Sequence, residues 1–185
     1  GHVEAQCQLG FMYDEGIGVS QNYLESVKWY RKAADQGHVE ALYSLGWVYY
    51  DKYNKPVSPD YSEAVKWFRK AADQGYVKAQ TQLGYIYFHG EDCIPQDYSE
   101  SAKWYRKAAD QGHGEAQLHF GWIYENGYGG FSQNYSDAAK WYRKAAEQGL
   151  SDAQYKLGEM YYYGRGVPQD YSESAKWYHK AADQG

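Results

Sequence analysis

The stretch Lys28-Trp29-Tyr30-Arg31-Lys32-Ala33-Ala34 decides the fold, because it returns four more times along the chain with few changes. Its tryptophan recurs at intervals of 36 to 38 residues, as Trp29, Trp67, Trp104, Trp141 and Trp177. Such a period is typical of stacked repeats, in which no single unit can bury its apolar face alone. We therefore predict one domain over residues 1–185, with repeats at about 1–37, 38–75, 76–112, 113–149 and 150–185.

The second half of each repeat carries the start and stop signals of a helix. Asn22 offers a side-chain oxygen for an N-cap, and Glu25 follows three residues later, a spacing that resembles a capping box. After the helix, a glycine such as Gly37 or Gly185 supplies the left-handed residue that ends it. The equivalent N-cap positions in later repeats are Asp60, Asp97, Asn134 and Asp170.

The first half of each repeat predicts a second helix. Ala41, Leu45 and Val48 fall at i, i+4 and i+7, which places them on one apolar face. A glycine interrupts each of these helices, at Gly10, Gly46, Gly84, Gly121 and Gly158. Since a helix-interior glycine costs about 1 kcal/mol relative to alanine, its regular return predicts close approach by the paired helix.

The loop inside each repeat varies in length and in composition, as a comparison of residues 16–19 with residues 51–56 shows. Extra residues in a surface loop cost little. We therefore expect these loops only to close a hairpin at the surface.

Composition and charge disfavour two classes of partner. The formal net charge is −5, so the chain as a whole does not attract nucleic acid. Lysine and arginine recur near helix C-termini, as at Lys28, Arg31 and Lys32, where they complement the helix dipole. No stretch is long and apolar enough to insert into a membrane.

The two cysteines predict no internal disulfide. Cys7 lies in the first repeat and Cys93 in the third. Neighbouring stacked helices lie ~8–10 Å apart, so residues of the first and third repeats should be separated by more than one such spacing. A disulfide needs Cα atoms within about 7 Å. Free thiols are compatible with a cytoplasmic location.

The motifs of the first repeat are shared with a known family. Ala5, Leu9, Gly10 and Tyr13 form the pattern Ala-x-x-x-Leu-Gly-x-x-Tyr. It is followed by Gly-x-Gly-Val at 16–19 and by Lys-Trp-Tyr-x-Lys-Ala-Ala-x-x-Gly at 28–37. In these motifs, repeated over the whole chain, the sequence resembles the Sel1-like repeat proteins, relatives of the tetratricopeptide class. Departures are local: the second repeat lacks the loop glycines, the third keeps only Gly90, and the fourth has Phe120 for leucine.

The resemblance implies an all-α fold, a right-handed α-solenoid of five antiparallel helix hairpins. It also implies a concave surface that holds peptides or protein segments, with an adaptor or assembly role. A secreted, cysteine-rich subgroup is linked to β-lactam binding or hydrolysis, but this chain lacks that cysteine pattern. The resemblance permits a periplasmic or secreted location beside the cytoplasmic one, so the compartment stays open.

Positions that differ between repeats are not needed for stacking, and three of them share one face of the first helix of each repeat. They lie at offsets 0, 4 and 7, and by the resemblance this face lines the concavity. Exposed aromatic patches often mark interaction sites. We therefore predict that a protein or peptide binds Phe11, Tyr43, Trp47, Tyr50, Tyr85, Phe88, Trp122, Tyr155 and Tyr162, with Trp47, Tyr85 and Trp122 at the centre of a groove. The alternative is that these rings pack between neighbouring repeats and only widen the core.

We find no catalytic, metal or cofactor motif in the sequence. His2, His38 and His113 share one position at the start of a repeat, which Tyr76 and Leu150 also occupy, so we assign them a helix-start role. The remaining histidines lack a partner at metal-ligand spacing, although His119 could contact the groove. No phosphate loop, nucleophile elbow or Cys-x-x-Cys is present.

Three functions follow from these observations, and the first is preferred. The chain is an interaction scaffold, an enzyme of the cell-wall or β-lactam hydrolase type, or a passive spacer within a larger protein. An enzyme would need a nucleophile or paired carboxylates converging in the groove, and we find no such constellation; mutation of the groove acids Glu125 and Glu159 would test this alternative. Neither end has the polar cap that isolated arrays need, which predicts either more chain beyond the ends or end-to-end self-association.

Overall fold

The computed structural model describes residues 1–51 and 59–184, and within them the chain forms five pairs of helices. The helices are α1 (Val3–Glu15), α2 (Tyr23–Ala34), α3 (Val39–Tyr50), α4 (Tyr61–Asp73), α5 (Val77–His89), α6 (Tyr98–Asp110), α7 (Gly114–Asn126), α8 (Tyr135–Glu147), α9 (Ser151–Tyr163) and α10 (Tyr171–Ala182). In this part of the chain the only β-pairing is an isolated bridge between Glu91 and Ile94. None of the described helices is long and apolar enough to cross a bilayer.

Each even-numbered helix begins at a side-chain cap. Asp97 Oδ1 accepts the backbone N–H groups of Ser99 and Glu100 at 2.9 and 3.0 Å. In a complete capping box the Glu100 side chain would accept the Asp97 N–H. Here Glu100 instead pairs with Lys103 at 2.6 Å. The Asp97 N–H donates to the Tyr87 carbonyl at 2.8 Å, which ties α6 to the preceding helix. The other predicted caps also hold: Asn22, Asp60, Asn134 and Asp170.

The glycines that follow the even-numbered helices adopt the left-handed conformation, as predicted. Gly37, Gly75, Gly112 and Gly149 have φ values of 84°, 87°, 89° and 93°. After this turn the His38 N–H returns to the Ala33 carbonyl at 3.1 Å and closes the helix end. Gly185, predicted to do the same, lies outside the described residues.

The glycine inside each odd-numbered helix lies under an aromatic ring of the paired helix. A Cβ placed on Gly46 would lie 2.4 Å from the Phe68 ring, and one on Gly121 would lie 2.8 Å from Tyr142. Real Cβ atoms essentially never approach closer than 3.0 Å. The predicted close approach is therefore confirmed, and the approaching group is the ring that follows the repeated tryptophan. The remaining pairs are Gly10 with Tyr30, Gly84 with Tyr105, and Gly158 with Tyr178.

The chain divides into two units, Gly1–Leu83 with Gly90–Pro95 and Gly84–His89 with Gln96–Gly185. Within the first unit, α1 packs on α2 and α3, and α3 packs on α2 and α4. Within the second unit, α6 packs on α7, α7 on α8, α8 on α9 and α9 on α10. Within each unit these helices pack on their neighbours in sequence, which is solenoid packing and confirms the predicted all-α fold of helix hairpins.

The repeated tryptophan and its local partners explain the recurring basic positions. Trp104 is buried, and Lys107 Nζ lies 4.1 Å from its ring centroid, in cation–π geometry. The same pairing recurs between Lys32 and Trp29, Lys70 and Trp67, Lys144 and Trp141, and Lys180 and Trp177. The lysine one turn earlier, as at Lys28, bonds the first-turn acid Glu25 at 3.0 Å.

The loop between α7 and α8 does more than close its hairpin. Tyr128 stacks on Tyr98 with ring centroids 4.4 Å apart and planes at 20°. A Cβ on Gly129 would lie 2.4 Å from the Tyr98 carbonyl oxygen, so the backbone here is also tightly packed. The expectation that the loops are free surface segments does not hold for this one. The compared loop of the second repeat lies outside the described residues from Lys52 to Ser58.

Both cysteines are free thiols in the described structure. Cys7 is buried and Cys93 is exposed. Burial raises the pKa of the Cys7 thiol to about 11, which keeps it protonated at neutral pH.

Candidate binding surface

The nine aromatic side chains selected from the sequence are all at least partly exposed. Trp47 is 37% exposed and Tyr155 is 50% exposed, whereas Leu45 on the same helix as Trp47 is fully buried. The varying face and the sealed face of the odd-numbered helices are therefore distinct. The further expectation that Trp47, Tyr85 and Trp122 form one groove stays a prediction.

In the first unit, three of these rings surround the ring that covers the α3 glycine. The ring centroids of Tyr43, Trp47 and Tyr50 lie 5.6, 5.8 and 6.2 Å from that of Phe68. The Tyr50 hydroxyl donates to the Glu91 carboxylate, which fixes its outer end. The rings thus pack on the core by one side and face solvent by the other.

In the second unit, Trp122 lies between two other rings. Phe88 meets it edge-on at 4.9 Å, and Tyr128 stacks on it at 5.0 Å with planes at 27°. Sequence reasoning missed Tyr128, because a loop residue follows no helical period. Its place before Gly129 and Gly130 is the one signal of a constrained turn there.

A cavity of about 420 Å³ opens beside this group of rings. Its walls are mainly apolar, with Phe88, Trp122 and Tyr155 from the predicted set. The complete lining is Phe88, His89, Leu118, His119, Trp122, Tyr142, Asp152, Tyr155 and Lys156. The structure therefore brings three predicted residues together and adds charged groups that the aromatic pattern did not select.

Next to the cavity, Lys156 joins the two acids that would test the enzyme alternative. Its ammonium lies 3.1 Å from Glu159 and 3.9 Å from Glu125. The Tyr142 hydroxyl donates to Glu125 at 2.6 Å. Partial burial disfavours the charged ammonium, but the Glu159 bond and the attraction of both acids outweigh it, so the pKa of Lys156 lies above its ordinary value. Both carboxylates are thus engaged in holding a cation.

His119 stacks on Tyr105, with ring centroids 4.8 Å apart and planes at 18°. Desolvation lowers the pKa of His119, and the nearby Glu115 opposes this only in part. The ring is therefore neutral at pH 7. The Tyr105 hydroxyl is buried and has no hydrogen-bond partner among the described residues.

The remaining predicted residues lie away from the cavity lining. Phe11 is 45% exposed and stacks on no other ring in the described part of the chain. Tyr85 contacts His89 at 4.4 Å, and Tyr162 contacts Tyr171 at 5.3 Å. These residues present aromatic surface outside this cavity.

The predicted helix-start role holds for two histidines, and it argues against a metal site. His38 Nδ1 accepts the Ala41 N–H at 3.3 Å, so the proton lies on Nε2, which bonds Glu4 at 3.0 Å. Glu4, His38 and Glu40 are close enough to share an ion, but an ion on Nε2 would displace that proton and disturb the cap. His2 caps α1 in the same way, whereas His113 forms no side-chain cap bond.

The model of the Sel1 repeat matches the chain five times in succession, at residues 3–38, 39–76, 77–113, 114–150 and 151–185. The chain belongs to the Sel1 repeat family. This confirms the resemblance seen in the motifs.

Two solved structures share this Sel1 repeat fold over the whole chain. One is a protective antigen present in uropathogenic Escherichia coli strains and displaying an SLR fold, with 40% identity and a TM-score of 0.93. The other is a Sel1 repeat protein from Oxalobacter formigenes, with 35% identity and a TM-score of 0.91. Each match covers 100% of this chain. This chain spans 39% of the first protein and 74% of the second.

A curated relative shows the same repeat in a much longer protein. A putative sel1-like repeat-containing protein of Acanthamoeba polyphaga mimivirus is 43% identical over 58 residues, which is 30% of this chain and 11% of that protein. Sel1 repeat proteins are generally protein-interaction scaffolds, and their fold is typically non-catalytic.

Proposed function

We propose that this Sel1 repeat protein holds a segment of a partner protein on the varying aromatic face of its odd-numbered helices. One observation carries the proposal: on the odd-numbered helices, positions that differ between repeats place rings at the surface, whereas the constant glycine is buried under a ring of the paired helix. Gly121 is constant, and the position of Tyr142 holds tyrosine or phenylalanine in every repeat, as the close packing of the paired helices requires. Phe11, Trp47 and Tyr155 remain 45%, 37% and 50% exposed, so packing within the chain leaves a large part of each ring at the surface.

The physical case rests on the kind of surface that these rings offer. Tyrosine and tryptophan provide large contact areas and are enriched among residues that dominate binding energy. Packing on Phe68 in the first unit fixes the orientation of Trp47, and the two flanking rings fix Trp122 in the second. Since these side chains are already held, a partner orders few of them on binding, and the entropic cost is low.

The seven tryptophans of the chain provide an internal test. A library of random 12-residue peptides is selected for binding to the full chain, and each selected peptide is titrated into ¹⁵N-labelled protein. We expect the indole N–H signal of Trp47 or Trp122 to shift, because these rings lie on the varying face. The five repeated tryptophans serve as controls, and their signals should stay in place.

Two further results decide between this face and other exposed apolar residues. Leu24, on α2, is 78% exposed, so Leu24→Ala is a matched control that should leave peptide affinity unchanged. Selected peptides that lose affinity in Leu24→Ala while the Trp47 and Trp122 signals stay unmoved would refute the proposal.

A further inference from the structure

The cavity of the second unit combines aromatic walls with an excess of negative charge. Phe88, Trp122 and Tyr155 supply flat apolar surfaces around a volume of about 420 Å³. That volume lies within the range of small ligand pockets, ~300–1,000 Å³. It can admit a long side chain of a bound segment.

The charges about the cavity do not cancel. The single lysine, Lys156, is already shared between Glu125 and Glu159. Asp152 lines the cavity, is exposed, and forms no ion pair within the described residues. One ammonium therefore faces three carboxylates, and the neutral His119 ring adds no positive charge. The field in the cavity attracts a cation.

Arginine fits this combination better than lysine does. Its planar guanidinium stacks on aromatic faces and is only weakly hydrated, whereas a lysine ammonium is a compact and strongly hydrated charge. Its two outer nitrogens also match the two oxygens of a carboxylate. The aliphatic stem of the side chain would cover the apolar walls.

We propose that this cavity binds an arginine side chain of the partner segment, with its stem against Trp122 and Tyr155 and its guanidinium at Asp152. The inference rests on the proposed function, since it needs a segment lying on the aromatic face. It adds the chemistry of that segment: at this point of the surface the partner carries an arginine.

The probe is the peptide acetyl-Ala-Leu-Arg-Leu-Ala-amide, compared with the same peptide carrying citrulline, which keeps the shape of arginine without its charge. Each is titrated to millimolar concentration while the indole signal of Trp122 is followed by NMR. We expect the arginine peptide to shift this signal and to bind about two- to fivefold more tightly than the citrulline peptide, the effect of one exposed charge pair.

The variants Asp152→Asn and Asp110→Asn separate a local contact from general attraction to an acidic protein. Asp110 is exposed on α6 and pairs with Arg106 at 3.7 Å, so its loss should not affect binding. Asp152→Asn should weaken binding of the arginine peptide by about two- to fivefold and leave binding of the citrulline peptide unchanged.

Equal affinity for the two peptides would overturn the arginine assignment and leave the aromatic face standing as a site for apolar segments. A Trp122 signal that neither peptide moves would also overturn it, and the selected 12-residue peptides then judge the aromatic face independently. Equal losses in Asp152→Asn and Asp110→Asn would show non-specific attraction and reject the contact at Asp152.

Discussion

Repeats two and four place different chemistry on the same helical frame. In repeat two, Tyr50 packs on Phe68, the ring that covers Gly46. In repeat four, the equivalent positions hold Glu125 and Tyr142, whose hydroxyl donates to the Glu125 carboxylate. The glycine requires only a ring above it. The group at the outer end of that ring, a hydrogen in Phe68 or a hydroxyl in Tyr142, can therefore vary with the neighbouring side chains.

Repeat three shows what happens when the match is missing. Its glycine lies under Tyr105, but the third varying position holds Phe88, which cannot accept a hydrogen bond. The Tyr105 hydroxyl is accordingly buried without a partner among the described residues. The hydroxyl is therefore not required by the stack, whereas the ring is.

The largest expected effect comes from filling the space under the ring. Gly46→Ala and Gly121→Ala should each lower the free energy of unfolding by about 2–3 kcal/mol, since overpacking outweighs the gain in helix propensity. The loss should be greater at Gly46, where the added Cβ would lie 2.4 Å from the ring, against 2.8 Å at Gly121. Urea unfolding of both variants checks the order. In the double variant with Phe68→Leu, a smaller side chain opposite Gly46→Ala should recover part of the loss, and strict additivity would contradict the account.

The next effect separates the two hydroxyls of the second unit. Tyr142→Phe removes a hydrogen bond to a carboxylate and should cost about 1.5–2 kcal/mol. Tyr105→Phe removes an unpartnered buried hydroxyl and should be neutral or stabilising by up to about 1 kcal/mol. Phe68 already fills this role in repeat two. Equal losses in the two variants, measured by urea unfolding, would show that the hydroxyls are not distinguished by their partners.

A smaller effect depends on pH and arises from His119, whose position is occupied by Ser44 in repeat two and Gln82 in repeat three. Because burial lowers the pKa of His119 below 6.5, the unfolded chain binds a proton that the folded chain resists. Its contribution is present above pH 6.5 and is lost as the pH falls towards the lowered pKa. His119→Gln should therefore lose less stability than the wild type between about pH 6.5 and 5. Thermal unfolding at these pH values checks the prediction, and an equal loss of stability in the variant and the wild type would contradict it.

The smallest effect tests the frame that the two repeats share. Lys70 and Lys144 lie 3.9 and 3.8 Å from the centroids of Trp67 and Trp141. Replacing either lysine with alanine should cost about 0.5 kcal/mol, as expected for an exposed cation–π pair. Similar losses in chemical unfolding would support a common frame, whereas a large loss in only one repeat would contradict it.

The sequence predicted the frame because the frame is repeated. Caps such as Asp97, left-handed glycines such as Gly37 and the glycine under each ring all recur at fixed offsets, and local rules assign them. It also selected exposed rings such as Trp47, because the varying positions share one helix face. It could not find Tyr128, because a loop residue follows no helical period, or the contact of Lys156 with Glu125, because this contact joins two different helices. The predicted capping box was half right. The Asp97 side chain caps the helix, but the Asp97 N–H donates to the Tyr87 carbonyl of the preceding helix and not to Glu100.

The most direct test of the aromatic face compares binding with stability in one protein. The Kd of a selected 12-residue peptide is measured for Trp47→Ala/Trp122→Ala and for the wild type, together with the free energy of unfolding. We predict that the double variant stays folded at 25 °C and that affinity falls at least about 30-fold, the sum of two losses of ~1 kcal/mol or more. A Kd within twofold of the wild type, accompanied by a large loss of stability, would show that these rings only extend the core.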